Sequence, residues 1–255
     1  MLSYDVNLSI LFTHLPMLER PAAAAAAGYN AVEMWWPFAQ PVPADAELDA
    51  MASAIEGAGV RLVCLNSDGG DLAAGDRGLL SRPTQLARFR ENLDVAVGFA
   101  ERMGCGLLNV LYGNRDLEAS PQRQDELAVE NLVHAAKAAE RAGLVVVLEA
   151  LNTYDSPRYP ISSSAAAFRV IDSVRAVAGA SNIAFLADFY HLYRMGEDLA
   201  ALIALGAHRF GHVQVADAPG RGAPGTGEIP FDTLLPLLEA SPYRGYVGLE
   251  YKEPG

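Results

Sequence analysis

The sequence predicts a single (β/α)8 barrel over residues 1–255, and three observations carry that prediction. Short apolar runs rich in β-branched residues alternate with longer helical patterns along the whole chain, which with short connections describes parallel β/α units. The runs are apolar almost throughout, as expected of strands covered on both faces. Eight of them in 255 residues leave about 32 residues per unit, the spacing of a closed eightfold barrel. A doubly wound sheet uses fewer strands, and no Gly-x-Gly-x-x-Gly follows the first strand here. No linker or internal repeat marks a second domain.

The elements follow in order. Strand one is expected at 6–11, and six alanines at 22–27 form the middle of the next helix, alanine being the best helix former. Strand two is expected at 31–34 and strand three at 61–65, with Ala27-Gly28 and Ala58-Gly59 placing glycine where each preceding helix would end in the left-handed conformation. A long segment, 66–82, then leads to a helix at 84–103, closed by Gly104, and strand four at 106–110. Ser120-Pro121 offers an N-cap with proline at the first helical position, opening a helix at 122–142 that Gly143 ends. Strands five to eight are expected at 145–149, 183–188, 210–215 and 246–250. Only five residues follow the last, too few for an eighth helix. The eighth helix is therefore expected to be missing or truncated, with a trimmed chain or a neighbouring subunit on that face, hence a possible homo-oligomer.

Composition narrows the function. The formal charge of −12 and the lack of a Lys/Arg cluster disfavour a nucleic-acid partner, whose phosphates demand a basic face. An anionic substrate would need specific arginines or a cation in the site. No run of 18 apolar residues could span a bilayer, and no basic region followed by an apolar one opens the chain, so no membrane partner and a cytoplasmic location are expected. Cys64 and Cys105 sit in apolar surroundings and read as buried, inert thiols.

Barrel enzymes carry their reactive groups at the C-terminal ends of strands. Those positions hold Glu149 on strand five, Asp188 on six, Gln214 on seven and Glu250 on eight, spaced by 39, 26 and 36 residues, each about one β/α unit. A carboxylate at a buried strand end is costly unless paired or bound to metal. Three carboxylates and one amide on one rim form a hard oxygen site, which suits Mg²⁺ or Mn²⁺ better than zinc.

The chain resembles the hydroxypyruvate isomerase family of xylose-isomerase-like TIM barrels. The likeness runs from Asn7-Leu8-Ser9-Ile10-Leu11-Phe12-Thr13 to Gly248-Leu249-Glu250-Tyr251-Lys252. Between them lie Ala31-Val32-Glu33, Ala73-Ala74-Gly75-Asp76-Arg77-Gly78, Glu149-Ala150-Leu151-Asn152, Asp188-Phe189-Tyr190-His191 and Gly225-Thr226-Gly227-Glu228-Ile229. The resemblance implies the same four metal ligands, with Glu149 and Glu250 also the catalytic proton-transfer pair. It implies that His191 and Arg221 contact substrate, a small sugar acid or ketose. The implied chemistry interconverts hydroxypyruvate and tartronate semialdehyde: a divalent ion stabilises an enediolate while a glutamate moves the carbon-bound proton.

Other residues are expected near this rim. Asn109 ends strand four and is placed to hydrogen-bond substrate. Arg77 lies in the segment 66–82, whose length points to a functional loop, and is a candidate partner for a substrate carboxylate. Arg221 lies in a Pro/Gly-rich loop, 218–227, a candidate lid that Glu228 closes, unless Glu228 caps the next helix. Glu33 either orients a neighbour of the site or forms a buried ion pair. Trp35-Trp36 and Ser67-Asp68-Gly69 depart from the family pattern, which bears on the substrate more than on the reaction.

Three alternatives stay open. A 2-oxo-tetronate isomerase or a ketose 3-epimerase would keep the fold and metal, but related epimerases carry histidine at the position of Gln214 and glutamate at that of Asp155. An apurinic endonuclease would use histidine-rich zinc sites and a basic face, against five histidines and a charge of −12 here. A barrel that binds sugar acids without turnover is the third.

Overall fold

In the computed structural model, which describes residues 1–253, eight parallel strands close into one barrel in sequence order. They are β1 (Ser3–Asn7), β2 (Ala31–Met34), β3 (Arg61–Asn66), β4 (Leu107–Asn109), β5 (Val145–Glu149), β6 (Ile183–Asp188), β7 (Phe210–Val215) and β8 (Tyr246–Leu249). β1 pairs with both β2 and β8, which closes the ring. The single barrel predicted over the chain is thus the fold observed.

Among the described residues, eight α-helices surround it: α1 (Arg20–Ala26), α2 (Asp45–Ala58), α3 (Leu86–Arg102), α4 (Pro121–Arg141), α5 (Ser164–Ala178), α6 (Phe189–Arg194), α7 (Leu199–Gly206) and α8 (Phe231–Ala240). The polyalanine run lies in α1, and Ser120 caps α4 by accepting the backbone N–H of Arg123 at 3.2 Å. Gly104 and Gly143, past the ends of α3 and α4, have φ of 61° and 71°, the left-handed turn that glycine adopts without a Cβ clash. Two helices, α6 and α7, lie between β6 and β7. That accounts for a total of eight even though no helix follows β8 among the described residues.

The main core lies between barrel and helices, with Leu65, Phe89, Leu132, Leu148 and Phe185 fully enclosed. Inside the barrel, Cys64, Val147 and Leu186 form a small separate apolar plug with Leu107 and Ala184. Both cysteines are free and buried, and burial pushes both thiols up, Cys105 to about 12, so they stay protonated as expected.

One boundary differs in a way that matters for function. The first strand was expected at 6–11 but ends at Asn7. The Asn7 side chain accepts the Ser9 N–H at 2.9 Å, and its carbonyl accepts from Ile10 and Leu11. An asparagine that captures a backbone donor two residues on turns the chain, although the apolar run continues past it. No helix among the described residues is long and apolar enough to cross a membrane.

Candidate active site

The C-terminal rim of the barrel gathers the residues the sequence singled out. Glu149 ends β5, Asp188 ends β6, Gln214 is the penultimate residue of β7, and Glu250 follows β8 directly; all four are buried. The Glu149 carboxylate accepts from Asn109 Nδ2 at 2.9 Å. Asp188 caps α6, its Oδ1 accepting the N–H groups of Tyr190 at 2.8 Å and His191 at 3.3 Å. Its other oxygen, Oδ2, has no hydrogen-bond partner although buried. Gln214 donates through Nε2 to Glu33 at 2.7 Å, and its Oε1 is likewise buried and unpartnered. Glu250 Oε1 accepts from Asn7 Nδ2 at 2.9 Å and from the Trp35 indole at 2.8 Å, while Oε2 meets Arg221.

Burial and crowding set the charge state of these carboxylates. Burial pushes Glu250 up to about 7; the Arg221 guanidinium opposes this, and the charges of Glu33 and Asp188 add to it. Burial, then Glu250 and Asp188, hold Glu149 well above the carboxylate range, and burial raises Asp188. Arg221 is the local counter-charge, its terminal nitrogen bonded to Glu250 and 3.6 Å from Asp188 Oδ2. It holds φ of 58°, a left-handed conformation uncommon for a non-glycine residue and frequent at functional sites.

His191 lies beside Asp188, with Nε2 at 3.6 Å from Oδ2. Its Nδ1 faces the backbone N–H of Asn152 at 3.0 Å and the Asn152 side-chain nitrogen at 2.7 Å. A backbone N–H can only donate, so Nδ1 is the acceptor and the ring proton is on Nε2. Burial, then Arg221 and Arg77, keep the ring well below its ordinary pKa and therefore neutral. Donor atoms of Glu149, Asp188 and His191 lie within 4.8 Å of one another, but a protonated Nε2 has no lone pair for a metal. The three carboxylates and Gln214 could instead offer oxygen donors to a cation, and two of those oxygens, on Asp188 and Gln214, are buried without a hydrogen-bond partner.

Glu149, His191 and Glu250 line a cavity of about 380 Å³ with Trp35, Arg77, Asp155, Arg221 and Lys252 on its walls, while Asp188 and Gln214 lie behind that lining. The segment 66–82 supplies Leu72 and Arg77 to it, as its length suggested. Arg77 donates to Ser156 Oγ at 3.2 Å and to the carbonyls of Leu72 and Asp76, and among the described residues it pairs with no carboxylate. Asp155 accepts from Asn152 and from the Tyr190 hydroxyl, each at 2.9 Å. Burial opposes ionisation of Asp155, but these bonds and Arg221 outweigh it and keep its pKa below the ordinary value. Trp35 and Trp36 divide: Trp35 bonds Glu250, whereas Trp36 bonds the Gln40 carbonyl and stacks edge-on against Phe38.

The loop 218–227 is tied down rather than loose. Buried Asp217 accepts the backbone N–H groups of Ala218, Gly225, Gly227 and Ile229 at 2.8–2.9 Å. Gly227 is required there, since a Cβ would lie 2.0 Å from the Ala218 carbonyl oxygen. Glu228 closes the loop through its backbone, donating to Ala218 O at 2.9 Å, and no side chain caps α8.

Sequence reasoning missed Asn7, Asn152, Asp217 and Lys252 in this setting. Asn7 was within reach, because it occupies on β1 the rim position that Glu149 occupies on β5. The overlong first strand hid it.

Comparison with known proteins places this geometry. Residues 21–255 match the family model described as xylose isomerase-like TIM barrel. A Streptomyces coelicolor protein named "Putative hydroxypyruvate isomerase" is 56% identical, the alignment covering 99% of this chain and 91% of that protein. Hydroxypyruvate isomerase of Escherichia coli K12 is 32% identical, covering 99% and 94%. A 2-oxo-tetronate isomerase of Cupriavidus necator is 32% identical, covering 98% and 92%. Among solved structures, a Brucella melitensis protein named AP endonuclease, family 2, superposes with a TM-score of 0.90 at 32% identity, covering 100% of this chain and 95% of that one.

Proposed function

The chain is an isomerase of the hydroxypyruvate isomerase family of xylose isomerase-like TIM barrels, and we propose that it interconverts hydroxypyruvate and tartronate semialdehyde with a divalent cation, Mg²⁺ or Mn²⁺. The observation that carries this reading is the pairing of two raised, buried carboxylates, Glu149 and Glu250, with the unpartnered buried oxygens of Asp188 and Gln214 on the two strands between them. A base for a carbon-bound proton works best with a pKa near the working pH.

Glu149, Asp188, Gln214 and Glu250 would hold the cation, which when bound supplies positive charge against the negative charge that develops on the two substrate oxygens. The chain's own groups do the rest. One of the two glutamates takes a proton from the hydroxymethyl carbon, and a proton is returned to the former carbonyl carbon; the hydroxyl proton moves to the other oxygen, so the atoms balance. His191 Nε2–H is a neutral donor for a substrate oxygen. Arg221 offsets the carboxylates, and Arg77 faces the cavity as a partner for the substrate carboxylate. Glu149 at the end of β5 and Glu250 directly after β8 are held by the barrel at fixed positions, which is where much of the advantage of a positioned base arises.

A second isomerisation, of a four-carbon 2-oxo acid, uses the same machinery and is favoured by the 32% identity to a 2-oxo-tetronate isomerase. The endonuclease name of the Brucella structure belongs to that protein; here a charge of −12 opposes a phosphate backbone. The test is product analysis in deuterated solvent with hydroxypyruvate, 2-oxo-tetronate and free ketoses, with Mg²⁺ and Mn²⁺ added separately. Aldose–ketose conversion of an acid with label at carbon supports the proposal. Label without a change of carbonyl position points to epimerisation and sinks it.

A further inference from the structure

Glu33, on β2, is the hub of a buried network beneath the rim. Its Oε1 accepts from Gln214 Nε2 at 2.7 Å and from Asn7 Nδ2 at 2.9 Å, and its Oε2 accepts the Nε2 proton of His212 at 2.6 Å. All four residues are buried. Asn7 uses its second amide hydrogen on Glu250 Oε1 at 2.9 Å, so one carboxylate reaches two of the four prospective ligands. β8 makes room for it: a Cβ on Gly248 would lie 3.0 Å from all three atoms of the Glu33 carboxylate group.

An amide is two-ended. Its oxygen can bind a cation, and its NH2 group cannot. Nothing in the shape of the Gln214 side chain selects one end, because the two are nearly isosteric. The selection comes from the partner below. An ionised carboxylate accepts only, so it captures the NH2 end and leaves the oxygen pointing away without a protein partner. We propose that Glu33 is a positioning residue that sets the polarity of the Gln214 amide, presenting its oxygen to the cation. The inference rests on the cation site proposed above.

Glu33 also stands within 4.8 Å of Cys64 and His212, a group that could be taken for a metal site of its own. Both Glu33 oxygens are already occupied by N–H donors. Burial also keeps the Cys64 thiol protonated. The cluster therefore serves the rim rather than holding a second ion.

The experiment is Mn²⁺ binding to the purified chain, by titration calorimetry and by loss of the free-Mn²⁺ electron paramagnetic resonance signal. Glu33→Leu removes the acceptor and is expected to weaken Mn²⁺ binding about 10- to 100-fold, the usual effect of losing a partner behind a ligand. Glu33→Gln keeps an acceptor for Gln214 but adds a donor end that can capture the wrong atom, so it is expected to weaken binding less than Glu33→Leu does. The sharper readout is coupling. With Gln214→Glu in place, both ends of residue 214 are oxygen, its polarity no longer matters, and the new carboxylate faces that of Glu33, so adding Glu33→Leu relieves repulsion and is expected to leave Mn²⁺ affinity unchanged or higher, with no more than about a threefold loss. A merely structural role, or simple loss of charge, would weaken binding equally in both backgrounds and would overturn the proposal, as would parent-like binding by Glu33→Leu. Should Glu33→Leu not fold, Glu33→Asp draws the carboxylate back by one methylene and is expected to weaken binding at least about tenfold; parent-like affinity there overturns the proposal as well. If the parent chain binds no Mn²⁺ at all, the cation site itself fails and takes this inference with it.

Discussion

The backbone N–H of Asn152 donates to His191 Nδ1 at 3.0 Å, which leaves the ring proton on Nε2, the nitrogen 3.6 Å from Asp188 Oδ2. A loop residue after β5 thus decides which nitrogen of a histidine on α6 carries the proton. Because the ring is buried beside two arginines and stays neutral, it donates without changing charge.

His191→Phe is expected to lower kcat about 10²–10³-fold, the usual loss of a donor aimed at developing negative charge. The ¹⁵N spectrum of the parent chain should show His191 as the neutral Nε2–H tautomer at pH 6. A protonated ring at that pH, or a kcat unchanged by the substitution, would remove His191 from the mechanism.

Arg77 selects for a carboxylate if the cavity is built for an acid. Its guanidinium is held by Ser156 Oγ and two backbone carbonyls, with no carboxylate partner among the described residues. Arg77→Met should therefore lower kcat/KM for hydroxypyruvate about 10- to 100-fold, the value of one charge-assisted bond. Turnover of an uncharged ketose, where measurable, should change little. Equal losses on both substrates would assign Arg77 to loop structure instead.

The pH dependence of stability follows from the carboxylates. Glu250 rises from 4.5 to about 7 on folding, so its contribution to stability is complete below its unfolded value and is lost as pH rises through about 7. Glu149 and Asp188 act in the same direction. His191 has the opposite sign: its pKa is depressed, and its contribution, present above 6.5, is lost as pH falls. The His191 effect is confined to pH below about 6.5, so above it the carboxylates set the trend and the melting temperature of chelated protein should fall between about pH 6.5 and 8. Mn²⁺ displaces the protons these groups hold, so the rise in melting temperature on adding it should grow over the same interval. A Mn²⁺ effect that is flat or shrinks with pH would contradict the site.

Much of this was legible in the sequence because strand ends are. Glu149, Asp188 and Glu250 each close an apolar run, Gln214 interrupts one just before its end, and a barrel brings the ends of all its strands to one rim. Asn7 escaped because an Asx turn bends the chain inside a run that stays apolar to Leu11. Asp217 escaped for another reason: it binds backbone donors up to twelve residues ahead, and such reach leaves no periodic trace. Trp35 and Trp36 are neighbours with opposite tasks, and only the register of the turn after β2 tells which indole reaches Glu250. The orientation of the Gln214 amide is a matter of its partner on β2, 181 residues away in sequence.

The central claim is that the carboxylate rim works as a cation-dependent isomerase site. The most direct measurement is the rate of hydroxypyruvate isomerisation by chain stripped with a chelator, dialysed, and reloaded with Mn²⁺ or Mg²⁺. The expected result is loss of turnover on stripping and its return on reloading, with Glu149→Gln and Glu250→Gln each at least about 10²-fold slower when loaded. Full turnover by the stripped chain would contradict the account.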